Sequence, residues 1–207
     1  LFCHLLRKQR WSQVLVFAKT RNGVDQLVER LVGMGINADG IHGDRPQATR
    51  QRALDSFKAR EVQILVATDV AARGLDIDDL PLVVNFDLPI VAEDYIHRIG
   101  RTGRAGNTGE ALSLVCADEV QLLSAIETLT RKTLPRHDEP GFEPDHRVPV
   151  TDASGQILKK PKKPKKPKVT GAKGSLGRWT DSGDAPVPAK AVRKVPSFNT
   201  GPKKRKP

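Results

Sequence analysis

The stretch HRIGRTGRAG, residues 97–106, places three arginines at a spacing of three residues among three glycines. The arginines are Arg98, Arg101 and Arg104. A guanidinium group presents five donors in a planar fork that matches phosphate oxygens, and it stays charged at any working pH. Glycine lets the backbone reach positive φ and lets a ligand approach closely. The pattern predicts a phosphate clamp, although a surface turn with solvated charges also fits this stretch taken alone.

Two earlier stretches have anion-binding features of a weaker kind. VLVFAKTR reads as an apolar strand that runs into a polar loop ending at Arg21. In GIHGDRPQATRQRALDSFK, residues 40–58, Gly43 offers unhindered backbone N–H groups, and Gln47 and Arg50 share one face at the start of a helix. A helix N-terminus with an arginine beside it favours an anion. Taken alone, both stretches also fit ordinary solvated loops.

A further stretch, ATDVAARGLDI, combines a strand end with a tight loop. Thr68 offers a hydroxyl group, and Asp69 is placed to cap the segment that follows. Arg73 and Gly74 then precede Asp76. A carboxylate in a tight loop near a phosphate site is suited to accept ribose hydroxyl protons, but a simple turn residue is the other reading of Asp76.

The charge of the chain divides it into two parts. Residues 1–147 carry 19 Lys and Arg against 21 Asp and Glu, a net charge of −2, whereas residues 148–207 carry 16 Lys and Arg against three Asp, a net charge of +13. The second part includes KKPKKPKKPK at 159–168 and PKKRKP at the end, and its prolines favour extended polyproline geometry over a helix. We therefore expect a domain at 1–147 and a disordered, basic Lys/Pro-rich tail at 148–207.

Composition also excludes several classes of protein. Cys3 and Cys116 form no C-x-x-C pair, which argues against a disulfide scaffold or a structural zinc site, so we expect no metal bound by this chain. No apolar run approaches the roughly 18 residues that a membrane span needs. A signal peptide is not recognisable, and these features together predict a cytoplasmic protein with no membrane partner. Because the sequence begins with Leu1 instead of Met, we expect it to be a piece of a longer protein.

Strand-like and helix-like segments alternate along the domain. Short apolar, β-branched runs predict strands at 14–17, 37–41, 63–67, 82–86 and 111–115. Helical spacing of apolar residues predicts helices at 24–35, 47–58, 92–99 and 118–132. Such alternation predicts an α/β fold with a parallel sheet covered on both faces, whose ligand-binding loops lie at the carboxyl ends of the strands.

In order and spacing, the four stretches resemble motifs IV, IVa, V and VI of the DEAD-box RNA helicases of superfamily 2. The resemblance covers residue 1 to about residue 147, and ATDVAARGLDI with HRIGRTGRAG is its most specific part. It implies a RecA-like parallel sheet with helices on both faces, similar to the second of the two such domains that a helicase needs. The segment PRHDEPGFEPD further resembles the bacterial RhlE-type subgroup.

The resemblance implies catalytic and nucleotide-binding roles for matching positions. Arg101 and Arg104 resemble the arginines that reach across the interdomain cleft to the ATP phosphates, with Arg104 as the arginine finger. Asp76, which follows Gly74, resembles the residue at the nucleotide ribose. His97 resembles the histidine that couples to the acidic motif of the first domain.

The same resemblance implies contacts to the sugar-phosphate backbone of RNA. The matching positions are Gly43, Gln47, Arg50 and Thr68, with Arg21 and Arg73 as helpers. It also implies that Gly100, Gly103 and Gly106 let the arginine loop close against nucleotide held by the other domain. Contacts to phosphate and sugar carry no sequence information, so we expect RNA binding without strong sequence preference.

Motifs that are missing from the sequence bear on the mechanism. It contains no G-x-x-x-x-G-K-[ST] loop, no D-E-A-D tetrad and no S-A-T. Phosphoryl transfer then lacks its phosphate cradle and the carboxylates that hold Mg²⁺. We expect ATP, with Mg²⁺ held by an amino-terminal RecA-like domain of the same protein, and no ATP turnover by this chain alone. Closure of both domains on ATP and single-stranded RNA would separate a duplex.

Two other classes of protein stay open at this point. One is a related superfamily 2 DNA helicase, although the closest such families often append cysteine-rich zinc modules and this chain has two cysteines. The other is a non-enzymatic module whose basic tail does all of the RNA binding. A P-loop and D-E-A-D in the upstream sequence would distinguish the helicase. The tail itself fits an RNA or ribosome tether, a link to RNA-decay machinery, a nuclear localisation signal or a solvated spacer.

Overall fold

The computed structural model of the chain describes residues 1–77, 79–103, 109–143, 146–152 and 154–158, and the backbone of residues 191–195. The strands are β1 (Val14–Phe17), β2 (Ala38–Ile41), β3 (Ile64–Ala67), β4 (Leu82–Asn85), β5 (Glu110–Val115) and β6 (Ala191–Val195). The helices are α1 (Phe2–Gln9), α2 (Arg21–Gly33), α3 (Gln47–Lys58), α4 (Asp69–Ala72), α5 (Ala92–Ile99) and α6 (Val120–Thr130), the last preceded by a 3-10 turn at Ala117–Glu119.

The strands form one sheet in the order β2-β3-β1-β4-β5-β6. The first five strands are parallel, and β6 adds to β5 in the antiparallel sense. In the centre, Val14 of β1 lies between Ile64 of β3 and Leu82 of β4. All four residues of β1, β3 and β4 are buried, as expected for parallel strands covered on both faces. The predicted parallel α/β sheet is confirmed.

Side chains of β1 alternate between the two faces of the sheet. Val14 and Val16 pack with α1 and α2, whereas Leu15 and Phe17 pack with α3. The first face receives Phe2, Leu5, Leu6, Val24, Leu27 and Leu31 from its helices. The second face receives Ala53, Leu54 and Phe57, and farther along it β5 packs against α5 and α6 through Ala111, Val115, Tyr95, Ile99, Leu123 and Ile126. The helices therefore cover both faces of the sheet.

Element bounds agree with the predicted ones where apolar spacing decides them. The strand at 14–17 and the helices at 47–58 and 92–99 have the predicted limits. Helix α2 begins earlier than the predicted residue 24, because the Thr20 hydroxyl accepts the Gly23 N–H at 2.9 Å and caps the helix. Arg21 is thus the first residue of a helix and does not lie in the loop after β1.

Helices α1 and α4 were not among the predicted elements. In α1 the buried residues Phe2, Leu5 and Leu6 have helical spacing, but the segment has one turn of apolar residues and no side-chain cap. Helix α4 has four residues, too few for any periodicity to appear in the sequence. Among the described residues, no helix is long and apolar enough to cross a lipid bilayer.

The chain after α6 packs back onto that helix beyond the predicted boundary at residue 147. Thr151 is 5% exposed and donates its hydroxyl to Glu127, which is fully buried in α6. The Ser124 hydroxyl donates to the carbonyl of Gly155 at 2.5 Å, and Gly155 has a φ of +83°. These residues belong to the packed body, and Ala191–Val195 form strand β6 of the sheet. Both segments differ in this from the disordered tail expected at 148–207.

Candidate nucleotide and nucleic-acid interface

The loops after β1, β2 and β3 meet at the carboxyl edge of the sheet and enclose a groove. We call it the β1–β3 groove, and its lining includes Lys19, Thr20, Arg21, Gly43, Thr68 and Val70. Parallel strands end at the same edge, so the sheet itself brings these loops together. Three of the residues predicted to contact RNA, Arg21, Gly43 and Thr68, lie in this one groove.

The guanidinium of Arg21 is paired with a carboxylate within the groove. It donates to Asp44, and the side chains of Arg21 and Asp44 are 62% and 60% exposed. A Cβ atom added at Gly43 would lie 3.9 Å from the Arg21 guanidinium, so this loop backbone lies close to the cation. A phosphate group that binds Arg21 must therefore compete with Asp44.

Gln47 and Arg50 lie at the start of α3, as predicted, but they do not line the β1–β3 groove. The Arg50 Nη1 group donates to the Gln47 Oε1 atom at 3.0 Å, which joins the two side chains on one face. Within the described part of the chain, the Nε atom of Arg50 is buried without a hydrogen-bond partner. Gln47 and Arg50 therefore form a polar pair at the start of α3.

A polar network holds the loop between β2 and α3. Asp25 Oδ1 of α2 accepts from Arg45 Nη2 at 2.9 Å and lies 3.1 Å from the Nε2 atom of the buried His42. Arg45 Nη1 also donates to Asp39 and to the carbonyl of Gly40. Burial acts to raise the pKa of Asp25, but the hydrogen bonds from Arg45 and then His42 outweigh it and hold that pKa below its ordinary value. The network fixes the backbone that leads into Gly43.

The first arginine of HRIGRTGRAG is buried and does not take part in a clamp. Arg98 is 2% exposed, and its Nε and Nη2 atoms bind the two oxygens of Asp69 at 2.6 and 2.7 Å. Its Nη1 atom donates to Asn85 Oδ1 at 2.9 Å and to the Asp87 carbonyl at 2.7 Å, and its guanidinium lies over the Phe17 ring. The predicted three-arginine clamp is wrong for this residue. The predicted capping role of Asp69 is also wrong, because Thr68 is the N-cap residue of α4.

Charged side chains surround a small cavity beside Arg98. We call it the arginine cavity, and its lining includes Asp69, Arg73, Asp94, His97, Arg98 and Arg101. The Arg73 Nη2 group donates to Asp94 Oδ1 at 2.5 Å, and the Nδ1 atom of His97 lies 3.6 Å from the same oxygen. Burial acts to raise the pKa of Asp94, but Arg73 and then His97 outweigh it and lower that pKa. The structure thus brings Arg73 and His97 to one carboxylate, and Arg101 lines the same cavity.

The chain leaves α5 through a turn that carries Arg101. Arg101 Nη1 donates to the Leu75 carbonyl at 2.9 Å, which ties this turn to the loop after α4. Gly103 has a φ of +69°, a conformation that favours glycine, whereas Gly100 has an ordinary φ of −66°. The predicted arginine finger, Arg104, and Gly106 lie outside the described residues.

Asp76 projects from the loop that Arg101 holds. Its side chain is 92% exposed, and its Oδ2 atom accepts from Lys58 Nζ at 3.0 Å. Gly74 has a φ of +78°, so the turn before Asp76 requires a residue that tolerates the left-handed region. Asp76 does not line the arginine cavity, but its loop is hydrogen-bonded to Arg101.

Three carboxylates of the site were not among the predicted site residues. Asp44 pairs with Arg21, Asp69 binds Arg98, and Asp94 binds Arg73. The i, i+3 spacing of Asp94 and His97 on α5 is a sequence feature that could have pointed to their contact. The three contacts to arginine join residues 23, 29 and 21 positions apart, which no local pattern indicates. In the described part of the chain, His, Cys, Asp and Glu side chains form no group of three that could hold a metal ion.

Comparison with known proteins identifies a family. The family described as helicase conserved C-terminal domain matches residues 1–106. The DEAD-box ATP-dependent RNA helicase CshA of Bacillus subtilis (strain 168) is 49% identical over 139 residues, which cover 67% of this chain. The chain spans 28% of the length of that relative.

Two solved structures of DEAD-box proteins are similar in fold to this chain. The E. coli DEAD-box protein SrmB, solved bound to regulator of ribonuclease activity A, has a TM-score of 0.67 and 38% identity, and the match covers 72% of this chain and 88% of SrmB as solved. The C-terminal domain of the DEAD-box protein Dbp5 has a TM-score of 0.56 and 34% identity, covering 62% of this chain and 77% of that domain. The similar curated relative carries the CshA name, so the RhlE-type subgroup finds no support here.

Proposed function

The chain belongs to the helicase conserved C-terminal domain family and is the carboxyl-terminal helicase domain of a DEAD-box protein; we propose that it forms one half of a cleft in which ATP and RNA are bound together. The observation that supports this most directly is the position of α4. Thr68 and Val70 of this segment line the β1–β3 groove, whereas Asp69, Ala72 and Arg73 line the arginine cavity. One turn of helix therefore separates the proposed RNA site from the proposed ATP site.

The β1–β3 groove is proposed as the RNA site. Arg21, Gly43 and Thr68 offer a guanidinium, an exposed loop backbone and a hydroxyl group, which are suited to phosphate and sugar oxygens. Gln47 and Arg50 would extend this surface along the start of α3. Arg73 lies at the end of α4 with a side chain that is 63% exposed, and it would reach the RNA backbone from the cavity side.

The arginine cavity is proposed to face the ATP phosphates. The guanidinium of Arg101 in its lining is charged at any working pH and suits an anionic ligand, and the imidazole of His97, 74% exposed, lines the same cavity. Arg101 and Arg104 would hold the phosphates, and Asp76 beside Gly74 would accept from the ribose hydroxyls. ATP with Mg²⁺, held by the partner domain, supplies the free energy that drives opening and closing of the cleft.

A second domain is proposed to close over this edge of the sheet. Large apolar side chains are exposed on the two helices that carry the sites, α4 and α5, and just before α5: Val70 (75%), Ile90 (68%), Val91 (51%) and Ile96 (41%). Exposed apolar residues beside charged groups are typical of an interaction surface. We propose that an amino-terminal RecA-like domain of the same protein covers them and contributes the P-loop and the D-E-A-D carboxylates.

The experiment that tests this function compares the chain alone with the chain joined to the amino-terminal domain that we propose precedes it. We expect no RNA-stimulated ATP turnover from residues 1–207 and clear turnover from the joined protein. In the joined protein, Arg104→Ala should lower turnover by about 10³- to 10⁵-fold, because the finger stabilises charge that develops on the transferred phosphoryl group. Arg104→Lys should fail as well, because an ammonium group does not reproduce the planar fork.

Circular dichroism of each variant provides the control for folding. Substantial ATP turnover by residues 1–207, once contaminating ATPases are excluded, would contradict the proposal that hydrolysis requires both domains. Turnover of the Arg104→Ala variant within about threefold of wild type would contradict the role of Arg104 alone.

Three finer assignments complete the proposal. The basic tail would tether RNA, a ribosome or RNA-decay machinery, and the protein would act in the cytoplasm. Within the family, PRHDEPGFEPD is the segment that bears on the RhlE-type subgroup, and enzymatic comparison with a CshA protein would test that placement.

A further inference from the structure

Asp94 occupies a position between the two proposed sites. It lies in the first turn of α5 with a side chain that is 15% exposed, and its Oδ1 atom lies 2.5 Å from Arg73 Nη2 and 3.6 Å from His97 Nδ1. Arg73 follows α4, the element that lines both the β1–β3 groove and the arginine cavity. His97 lies one helical turn after Asp94 on the proposed ATP side.

The geometry around Asp94 allows two arrangements of its partners. The same carboxylate oxygen lies near the Arg73 guanidinium and the His97 imidazole. At 2.5 Å the Arg73 contact is a full hydrogen bond, whereas 3.6 Å to His97 is too long for one. Arg73 and His97 are 63% and 74% exposed, so both can move to a ligand, while the carboxylate is held in the cavity wall. An anion that binds Arg73 would therefore release the carboxylate for His97.

We propose that Asp94 is a positioning residue that couples the two sites, a role that rests on the function proposed above. In the absence of RNA, Asp94 holds Arg73. When an RNA phosphate binds Arg73, the Asp94 carboxylate becomes the partner of His97 and fixes the imidazole for contact with the partner domain. Asp94 acts through Arg73 and His97 and touches neither RNA nor ATP.

The pKa of Asp94 lies below its ordinary value, so the carboxylate is charged at neutral pH. A simpler role would be that of an acidic side chain that stabilises the N-terminus of α5 through the helix dipole. Glu93 also lies in the first turn of α5 and is exposed, so it shares that role without the contacts to Arg73 and His97. Glu93→Gln is therefore a matched control for Asp94→Asn.

The test measures ATP turnover of the joined two-domain protein against RNA concentration, with poly(U) as the probe. Five proteins are compared: wild type, Asp94→Asn, Glu93→Gln, Arg73→Gln and the double variant Arg73→Gln/Asp94→Asn. We expect Asp94→Asn to lower the ratio of RNA-stimulated to basal turnover by about five- to tenfold, the size expected for a charged hydrogen bond that is partly exposed to water. Glu93→Gln should stay within about twofold of wild type. In the Arg73→Gln background, Asp94→Asn should change the ratio by less than about twofold, because its partner is already gone.

The outcomes separate this inference from the function on which it rests. If wild type shows no stimulation by RNA, the proposed function fails and the coupling role of Asp94 fails with it. If wild type is stimulated and Asp94→Asn equals Glu93→Gln, the coupling role alone is wrong. Equal loss of basal and stimulated turnover in Asp94→Asn would also overturn it, as would full loss in the Arg73→Gln background. Urea unfolding of each variant identifies any that fails to fold, for which Asp94→Ser replaces Asp94→Asn.

Discussion

Arg98 and Arg101 are the same residue type three positions apart, yet they have different environments. Helix α5 ends at Ile99, so Arg98 still points from the helix into the sheet, whereas Arg101 lies beyond the Gly100 C-cap. Arg98 makes four hydrogen bonds to Asp69, Asn85 and the Asp87 carbonyl. Residue type and spacing alone do not distinguish the two arginines, and the end of the helix decides that Arg98 is structural.

Replacing Arg98 by methionine keeps the length of the side chain and removes its donors. We expect the free energy of unfolding to fall by about 3 kcal/mol, because Asp69 and the buried Asn85 then lose their partner. Urea unfolding followed by circular dichroism measures the change. Arg101→Met is the matched control, since it removes a guanidinium that is half-buried and lies beyond the end of α5. If the free energies of unfolding of the two variants fall by the same amount within about 1 kcal/mol, the hydrogen bonds of Arg98 do not stabilise the fold more than those of Arg101.

At the scale of elements, apolar periodicity predicts the parts of the chain that form the core. The strand at Val14–Phe17 and the helix at Gln47–Lys58 follow directly from buried apolar residues at the spacing of each structure. The position of α4 does not follow from apolar spacing. This four-residue helix lies between the end of β3 and the contact of Asp69 with Arg98. The same holds for the groove and the cavity, whose walls come from segments far apart in sequence.

The segment after α6 provides a test of where the domain ends. The Glu127 carboxylate of α6 accepts from the backbone N–H of Leu134 and from the hydroxyl of Thr151, and Arg136 donates to Thr151 at 2.6 Å. A buried carboxylate that loses a donor costs roughly 1–3 kcal/mol. Residues 148–158 therefore contribute to the stability of the body.

We expect residues 1–147 to unfold with a free energy that is lower by at least about 1–3 kcal/mol than that of residues 1–158. Thr151→Ala in residues 1–158 should reproduce a large part of this loss, whereas Thr151→Ser should keep most of the stability because it retains the hydroxyl that Glu127 accepts. Thermal and urea unfolding of the four proteins measure the differences. Equal stability of residues 1–147 and 1–158 would place the boundary where the sequence predicts it.

At the scale of the whole molecule, the positive charge is concentrated after residue 147, in the part of the chain that also carries β6. The body at 1–147 has a net charge of −2, and two cations of its proposed sites are already paired with carboxylates: Arg21 with Asp44, and Arg73 with Asp94. The remaining residues carry a net charge of +13. Without a partner domain, the body has little surplus positive charge with which to hold a phosphate chain, whereas the tail is suited to displace counterions along one.

We expect RNA binding by residues 1–207 to depend steeply on salt and to reside in the tail. For single strands, log K falls with log salt by roughly 0.7 per phosphate neutralised, so engagement of half of the 16 tail cations gives a slope of about −5 to −6. Removing residues 159–207, which takes away β6 together with the 16 cations, should flatten the slope to about −1 to −2 and abolish most of the binding. Arg50→Ala should change this binding little, yet impair duplex unwinding by the joined two-domain protein. Fluorescence anisotropy with labelled single-stranded RNA at five salt concentrations measures each slope. A shortened chain with unchanged affinity and slope would place RNA binding in the body and leave the tail with another role.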